Sequence, residues 1–183
     1  MASLPLLLDE SHLPGPELRA LRLDGELREL GDGFVPIDVP VTAQLRAQAL
    51  ARQLAGTLIA ERLTAAWIWG AYPLLRRPVQ ACVRSQQRTR ILPTPGLVIR
   101  QVTLTHLDLV LSSALRVTTP FRTAVDILRW EPEFDRRIAV AVTTLLLAAD
   151  ATPLVCARRI ADSPHLPHKQ RSLARLSTLP GWE

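Results

Sequence analysis

The chain is short of several things at once: one lysine, Lys169, against 21 arginines, two cysteines, and eight aromatic residues in 183. Cys82 and Cys156 stand 74 positions apart in apolar surroundings. They are too few for a disulfide framework, lack the paired spacing of a zinc site, and read as buried thiols. The lone lysine follows Pro167 and His168, so the acid-x-lysine pair with which a nuclease holds a metal and activates water is missing. No aromatic alternates with the arginines of the basic stretch, which argues against a single-strand platform, where unstacked bases need rings to lie on. Duplex phosphate contact needs none. There is no G-x-S-x-G elbow, P-loop or G-x-G-x-x-G run. The longest uncharged helical run, Ile138 to Ala149, has 12 residues, where about 20 are needed to span a bilayer. The apolar start, Met1 to Leu8, lacks a basic flank and meets Asp9 and Glu10, so no secretory signal is expected and a cytoplasmic location is.

Apolar types make up 48% and charged types 21% of the residues, the usage of a folded domain rather than a disordered tail. The length suits one domain with a small appendage. Charge is divided unevenly. Residues 1 to 40 carry eight acids and three arginines, the remainder nine acids and 19 bases. Between Arg62 and His106 there are seven arginines and no acid. A field of that kind attracts nucleic acid or an acidic protein face, unless it is a solvated surface.

Pro14-Gly15-Pro16 opens a short helix over Glu17 to Leu23, with Leu18 and Leu21 on its inner side. Glu26 to Leu30 and Phe34 to Ile37 alternate around Gly31-Asp32-Gly33 and predict a hairpin. Helix plus hairpin is either the end of a winged helix-turn-helix module or a surface appendage. Thr42 caps a predicted long helix with Ala43, Ala47, Leu50, Ala51, Leu54 and Leu58 inside and Arg46, Gln48, Arg52 and Gln53 outside, although Thr57 to Ala60 also suits a strand. Leu63 to Gly70 reads as a compact helix. Strands are predicted at Val79–Arg84, Leu97–Thr103, Leu109–Leu111 and Leu115–Thr118. Helices follow from Thr119-Pro120, over Glu133–Ala149, and near Pro153–Ala161 and Lys169–Leu176.

His165, His168 and Asp162 could face one metal, but Pro164 and Pro167 break the helix that would align them; neither a metal site nor a cofactor is expected. Arg122, Asp126 and Arg129 fall at i, i+4 and i+7 after the Thr119 cap, so Asp126 is expected between two guanidinium groups, pinning a helix to the sheet. With Thr119 and Thr123, Arg122 and Asp126 form the predicted structural motif.

The runs Leu63-Thr64-Ala65-Ala66-Trp67-Ile68-Trp69-Gly70-Ala71 and Val117-Thr118-Thr119-Pro120-Phe121-Arg122-Thr123-Ala124-Val125-Asp126, with the arginine-bearing strands between them, resemble the AbiEi-type antitoxins and related transcriptional regulators of type IV toxin–antitoxin systems. The resemblance spans about residues 15 to 178. It implies an N-terminal winged helix-turn-helix ahead of an α/β domain, promoter binding, and neutralisation of a nucleotidyltransferase toxin. Glu17 to Leu23 would be the recognition helix and Gly31 to Gly33 the wing tip, in a shortened and acidic version of the unit.

The expectation is therefore an α+β protein, with a winged-helix-like unit over residues 1–40 on a mixed-sheet domain over 41–183, that binds duplex DNA, a toxin, or both, and is not an enzyme. Its expected contacts are Arg19, Arg22, Arg28, Arg76, Arg77, Arg84, Arg88, Arg90 and Arg100. A protein-interaction module without DNA binding is the alternative, and a degenerate nuclease-associated fragment ranks last.

Overall fold

The computed structural model describes residues 5–86, 95–112 and 115–182. The fold is α+β: an N-terminal helix and hairpin, a mixed five-stranded sheet, and C-terminal helices. Helix α1 (Gly15–Leu23) leads into strands β1 (Leu27–Leu30) and β2 (Gly33–Pro36), which pair antiparallel. Leu18 is fully buried and packs with Leu8 and Leu27, while Leu8 exchanges backbone hydrogen bonds of 2.8 Å with Phe34. The hairpin turn needs glycine. Gly31 has φ +60°, and a Cβ there would stand 3.0 Å from the Ala49 methyl.

The Thr42 hydroxyl accepts from the Leu45 amide and starts α2 (Ala43–Leu50). This helix stops eight residues short of the predicted length. Gly56, at φ +76°, helps turn the chain, and the strand alternative is realised as β3 (Ile59–Ala60). Nor does α2 bury one stripe: Leu45, Ala47, Ala49 and Leu50 are all inside, because the helix packs among the hairpin, α3 (Arg62–Ile68) and the sheet.

Strands β4 (Val79–Arg84), β5 (Leu97–Val102), β6 (Leu109–Ser112) and β7 (Leu115–Thr118) fall where alternation predicts them, with a 3-10 turn, His106–Asp108, before β6. The order is β5-β4-β3-β7-β6. β4 runs parallel to β5 and β3 to β7, while β3–β4 and β6–β7 are antiparallel. One face, with Ala60, Val79, Ala81, Leu115 and Val117, shares a core with α2, α3 and Leu30 and Val35 of the hairpin. The other carries Ile59 and Cys82, and the register sets Arg100 beside Cys82.

Four helices complete the fold: α4 (Pro120–Trp130), α5 (Arg136–Ala148), α6 (Pro153–Asp162) and α7 (Lys169–Leu176). α5 begins three residues later than predicted because Asp135 caps it, accepting from the Ile138 amide at 2.8 Å. Leu63, Ile127, Leu128, Ile138, Leu145, Cys156 and Leu176 form the helical core. Each large aliphatic side chain buried there contributes about 1.5–3 kcal/mol. Among the described residues no single helix is long and apolar enough to cross a membrane.

Candidate functional site

The Thr119–Asp126 motif joins the sheet to the helices. Leaving β7, the chain meets Thr119, whose hydroxyl accepts from the Arg122 amide, and Pro120, whose missing N–H costs nothing at a first helical position. The buried hydroxyls of Thr118 and Thr123 lie 2.7 Å apart. The Trp69 indole donates to the Thr118 carbonyl at 2.9 Å, linking the two sequence runs through one hydrogen bond. Asp126 is buried, as expected between two guanidinium groups: Arg122 Nε donates to Oδ2 at 2.8 Å and Arg129 Nη1 to Oδ1 at 3.3 Å. Arg122 also reaches the Thr103 carbonyl at 3.3 Å and Asp108 at 3.4 Å, while Arg129 Nε donates to the Pro167 carbonyl at 3.1 Å. The ladder thus ties α4 to the end of β5 and to the α6–α7 loop.

Burial lowers the affinity of both arginines for their protons, but the outcomes differ. At Arg122, Asp126 and then Asp108 outweigh burial and hold the pKa above its ordinary value. At Arg129, burial wins over Asp126, helped by the charges of Arg122 and Arg100, and the pKa falls.

A second ionic cluster adjoins the first. Glu61 precedes α3 and is wholly buried; Arg100 grips it with Nε at 2.8 Å and Nη2 at 2.6 Å, and Arg62 adds a contact at 3.2 Å. Arg62 Nη1 also donates to Glu131 at 3.2 Å, and Gln80 Nε2 to the same carboxylate at 3.0 Å. Arg62 occupies left-handed backbone at φ +45°, a conformation costing about 1–3 kcal/mol in a non-glycine residue. Arg100 and Arg129 both lie over the Trp130 ring, at 4.7 and 5.4 Å. A cleft of about 430 Å³ opens here beside Arg100, Arg122, Arg129, Trp130 and His165. Its guanidinium groups are already bound to the carboxylates behind them. Cys82, beneath them, is pushed far up in pKa by burial and then by Glu61 and Asp126. It is an inert buried thiol.

The remaining predicted contacts do not form one patch. Arg19 and Arg22 are exposed on α1, and Arg22 pairs with Glu29 at 3.3 Å. Arg28 is half-buried and donates to the Val39 carbonyl. Arg76 is exposed near the Tyr72 ring, and Arg77 pairs with Asp32. These two precede β4 whereas Arg84 ends it, a separation of about 17–20 Å along the strand. Arg100, expected at the partner surface, turns inward to Glu61 instead, because a buried carboxylate demands a cation. Arg88 and Arg90 lie outside the described residues.

Sequence reasoning missed Glu61, Arg62 and Glu131 as one cluster, and placed Arg46 outward. Arg46 is in fact folded over the Trp67 ring, 5.2 Å from its centre, and donates to the Trp67 carbonyl at 2.9 Å. A signal for the cluster was present: Glu61-Arg62 interrupts an otherwise uncharged run from Leu54 to Gly70. Among the described residues no three His, Cys, Asp or Glu side chains converge as a metal site would require. Comparison with protein-family models, curated proteins and solved structures gives no match to this chain.

Proposed function

We propose that this chain is a regulator of the antitoxin type, acting by binding a macromolecular partner rather than by making or breaking bonds. One observation carries the reading. The two sequence runs on which the resemblance rests, Leu63–Ala71 and Val117–Asp126, pack as one unit through the Trp69–Thr118 hydrogen bond and the shared core of Leu63, Ala66, Ala124 and Val125. Their polar residues serve the scaffold. Function then falls to the surface, where Arg19, Arg76 and Arg84 have no carboxylate within ion-pair distance among the described residues.

The helix–hairpin unit is read as the reduced end of a winged helix, with Glu17 to Leu23 as its reader and Gly31 to Gly33 as the wing tip. On α1, Arg22 is tied to Glu29, and Glu17 and Asp24 flank it. Acids so placed repel a phosphate backbone. That favours a protein partner, the nucleotidyltransferase toxin implied by the resemblance, over an operator read by α1 alone.

Two measurements test the reading. Co-purification with the product of an adjacent nucleotidyltransferase gene is expected, and Arg84→Glu should weaken it; no complex with such a product removes the toxin assignment. Anisotropy of a labelled promoter duplex over a salt series checks DNA. Each neutralised phosphate contributes about −0.9 to the log–log slope, and a flat response removes DNA as a partner.

A further inference from the structure

A second cleft, of about 350 Å³, lies beneath the hairpin and is bounded by β1, α2, α3 and the loop after α3. Three arginines line it: Arg28, Arg46 and Arg77. Arg77 is neutralised by Asp32. Among the described residues the one acid in the lining, Glu29, is engaged by Arg22 at 3.3 Å. Arg28 and Arg46 are different. Both are half-buried, and among the described residues neither has a carboxylate within ion-pair distance.

Among the described residues their hydrogen bonds go to backbone carbonyls, of Val39 from Arg28 and of Trp67 from Arg46. Arg28 Nε is shut off from solvent with no acceptor among the described residues. Burial, and then the like charge of Arg28, pull the Arg46 pKa down. Two half-buried cations that line one recess without a carboxylate partner constitute an arrangement that an anion entering the recess balances.

We propose that this cleft binds a small organic phosphate, its dianionic group held between the guanidinium forks of Arg28 and Arg46. Charge selects the class: a phosphomonoester carries about −1.5 to −2 at neutral pH and balances two guanidinium groups, which a monocarboxylate does not. Residue type agrees, since planar guanidinium groups meet phosphate oxygens in pairs. Val41, Leu74 and Leu75 supply an apolar wall for the organic part. The volume falls in the range of small-ligand sites, about 300–1,000 Å³, far below that of a duplex. The site does not depend on the antitoxin reading and would stand if neither DNA nor toxin bound.

Phenyl phosphate, inorganic phosphate and benzoate are the probes, with sodium chloride matched for ionic strength. Calorimetry on the full chain should show saturable binding of phenyl phosphate, weaker binding of inorganic phosphate, and none of benzoate. Arg28→Gln and Arg46→Gln should each weaken phenyl phosphate by about tenfold or more, while Arg136→Gln, outside the cleft, leaves it unchanged. A structural role would lower the melting temperature of ligand-free Arg46→Gln; a binding role leaves it unchanged or raised. Arg28 and Arg46 Nε–H resonances of the wild-type chain should shift on titration, a readout that does not require the variants to fold. Absence of saturable phenyl phosphate binding to wild type, equal binding of benzoate, or retention by both variants overturns the proposal. Inorganic phosphate binding as tightly as phenyl phosphate overturns the organic half and assigns the site to free phosphate.

Discussion

Around α4 the guanidinium groups of Arg62, Arg100, Arg122 and Arg129 all end on carboxylates, whereas beneath the hairpin Arg28 and Arg46 donate to backbone carbonyls, Arg46 against the Trp67 ring, with no carboxylate among the described residues. The first group is balanced from within by Glu61, Glu131, Asp126 and Asp108, and loses its cohesion when one member is removed. The second carries positive charge that the described chain does not neutralise locally. Residue type alone does not tell the two groups apart along the sequence. In space one belongs to the scaffold and the other is open to an anion.

The widest separation between them should come from Glu61→Gln, which leaves Arg62 and Arg100 without their shared counter-charge at a wholly buried position. A loss of about 3–5 kcal/mol in urea unfolding is expected; a loss below about 1 kcal/mol would mean that the cluster is not a scaffold. Asp126→Ala should cost about 1–3 kcal/mol, less because Arg122 keeps Asp108 and the Thr103 carbonyl. An unchanged melting temperature with lost partner binding would move Asp126 from scaffold to interface.

Close to neutral pH a smaller effect, which begins only on the alkaline side, comes chiefly from burial rather than from the ion pairs. Cys156 is pushed from 9.0 up to about 12 by burial, and Cys82 is raised as well. Above the lower value the unfolded chain releases thiol protons that the folded chain keeps. Stability is therefore complete below about pH 9 and declines above it, by about 1.4 kcal/mol per pH unit per thiol. Cys156→Ala should lessen that slope in unfolding titrations, and an unaltered slope would show the thiol free to ionise in place. Smallest of all, Arg46→Gln should leave ligand-free stability little changed, since the lost Trp67 contacts are offset by relief from burying a charge and from the like charge of Arg28. A large loss would make the hairpin cleft as much a scaffold as the α4 clusters.

Much of the fold was legible because the physics that sets it is local. Alternation marked β4 to β7, Pro120 after Thr119 marked the start of α4, and spacing alone placed Arg122 and Arg129 beside Asp126. The length of α2 was not legible: its alanines suit burial on several sides as well as one, and what packs around it is decided by distant residues. Arg100 was misplaced for a related reason. The acid-free window from Arg62 to His106 stops one residue short of Glu61, the carboxylate that binds Arg62 and Arg100. Pairings over 39 residues leave no mark on a linear charge count. Arg46 sits at an outward-looking position on α2, and only the approach of Trp67 shows that its head folds back.

The left-handed corner at Arg62 also governs where α3 points. β3 ends at Ala60 and α3 begins at Arg62, so the turn leaves almost no slack. One residue inserted or deleted would rotate the helix by about 100° about its axis. Trp67 and Ile68 would swing out of their packing, and the Trp69 indole would lose the Thr118 carbonyl. That single corner sets the angular phase of α3, and through it the alignment of two sequence runs that lie far apart along the chain.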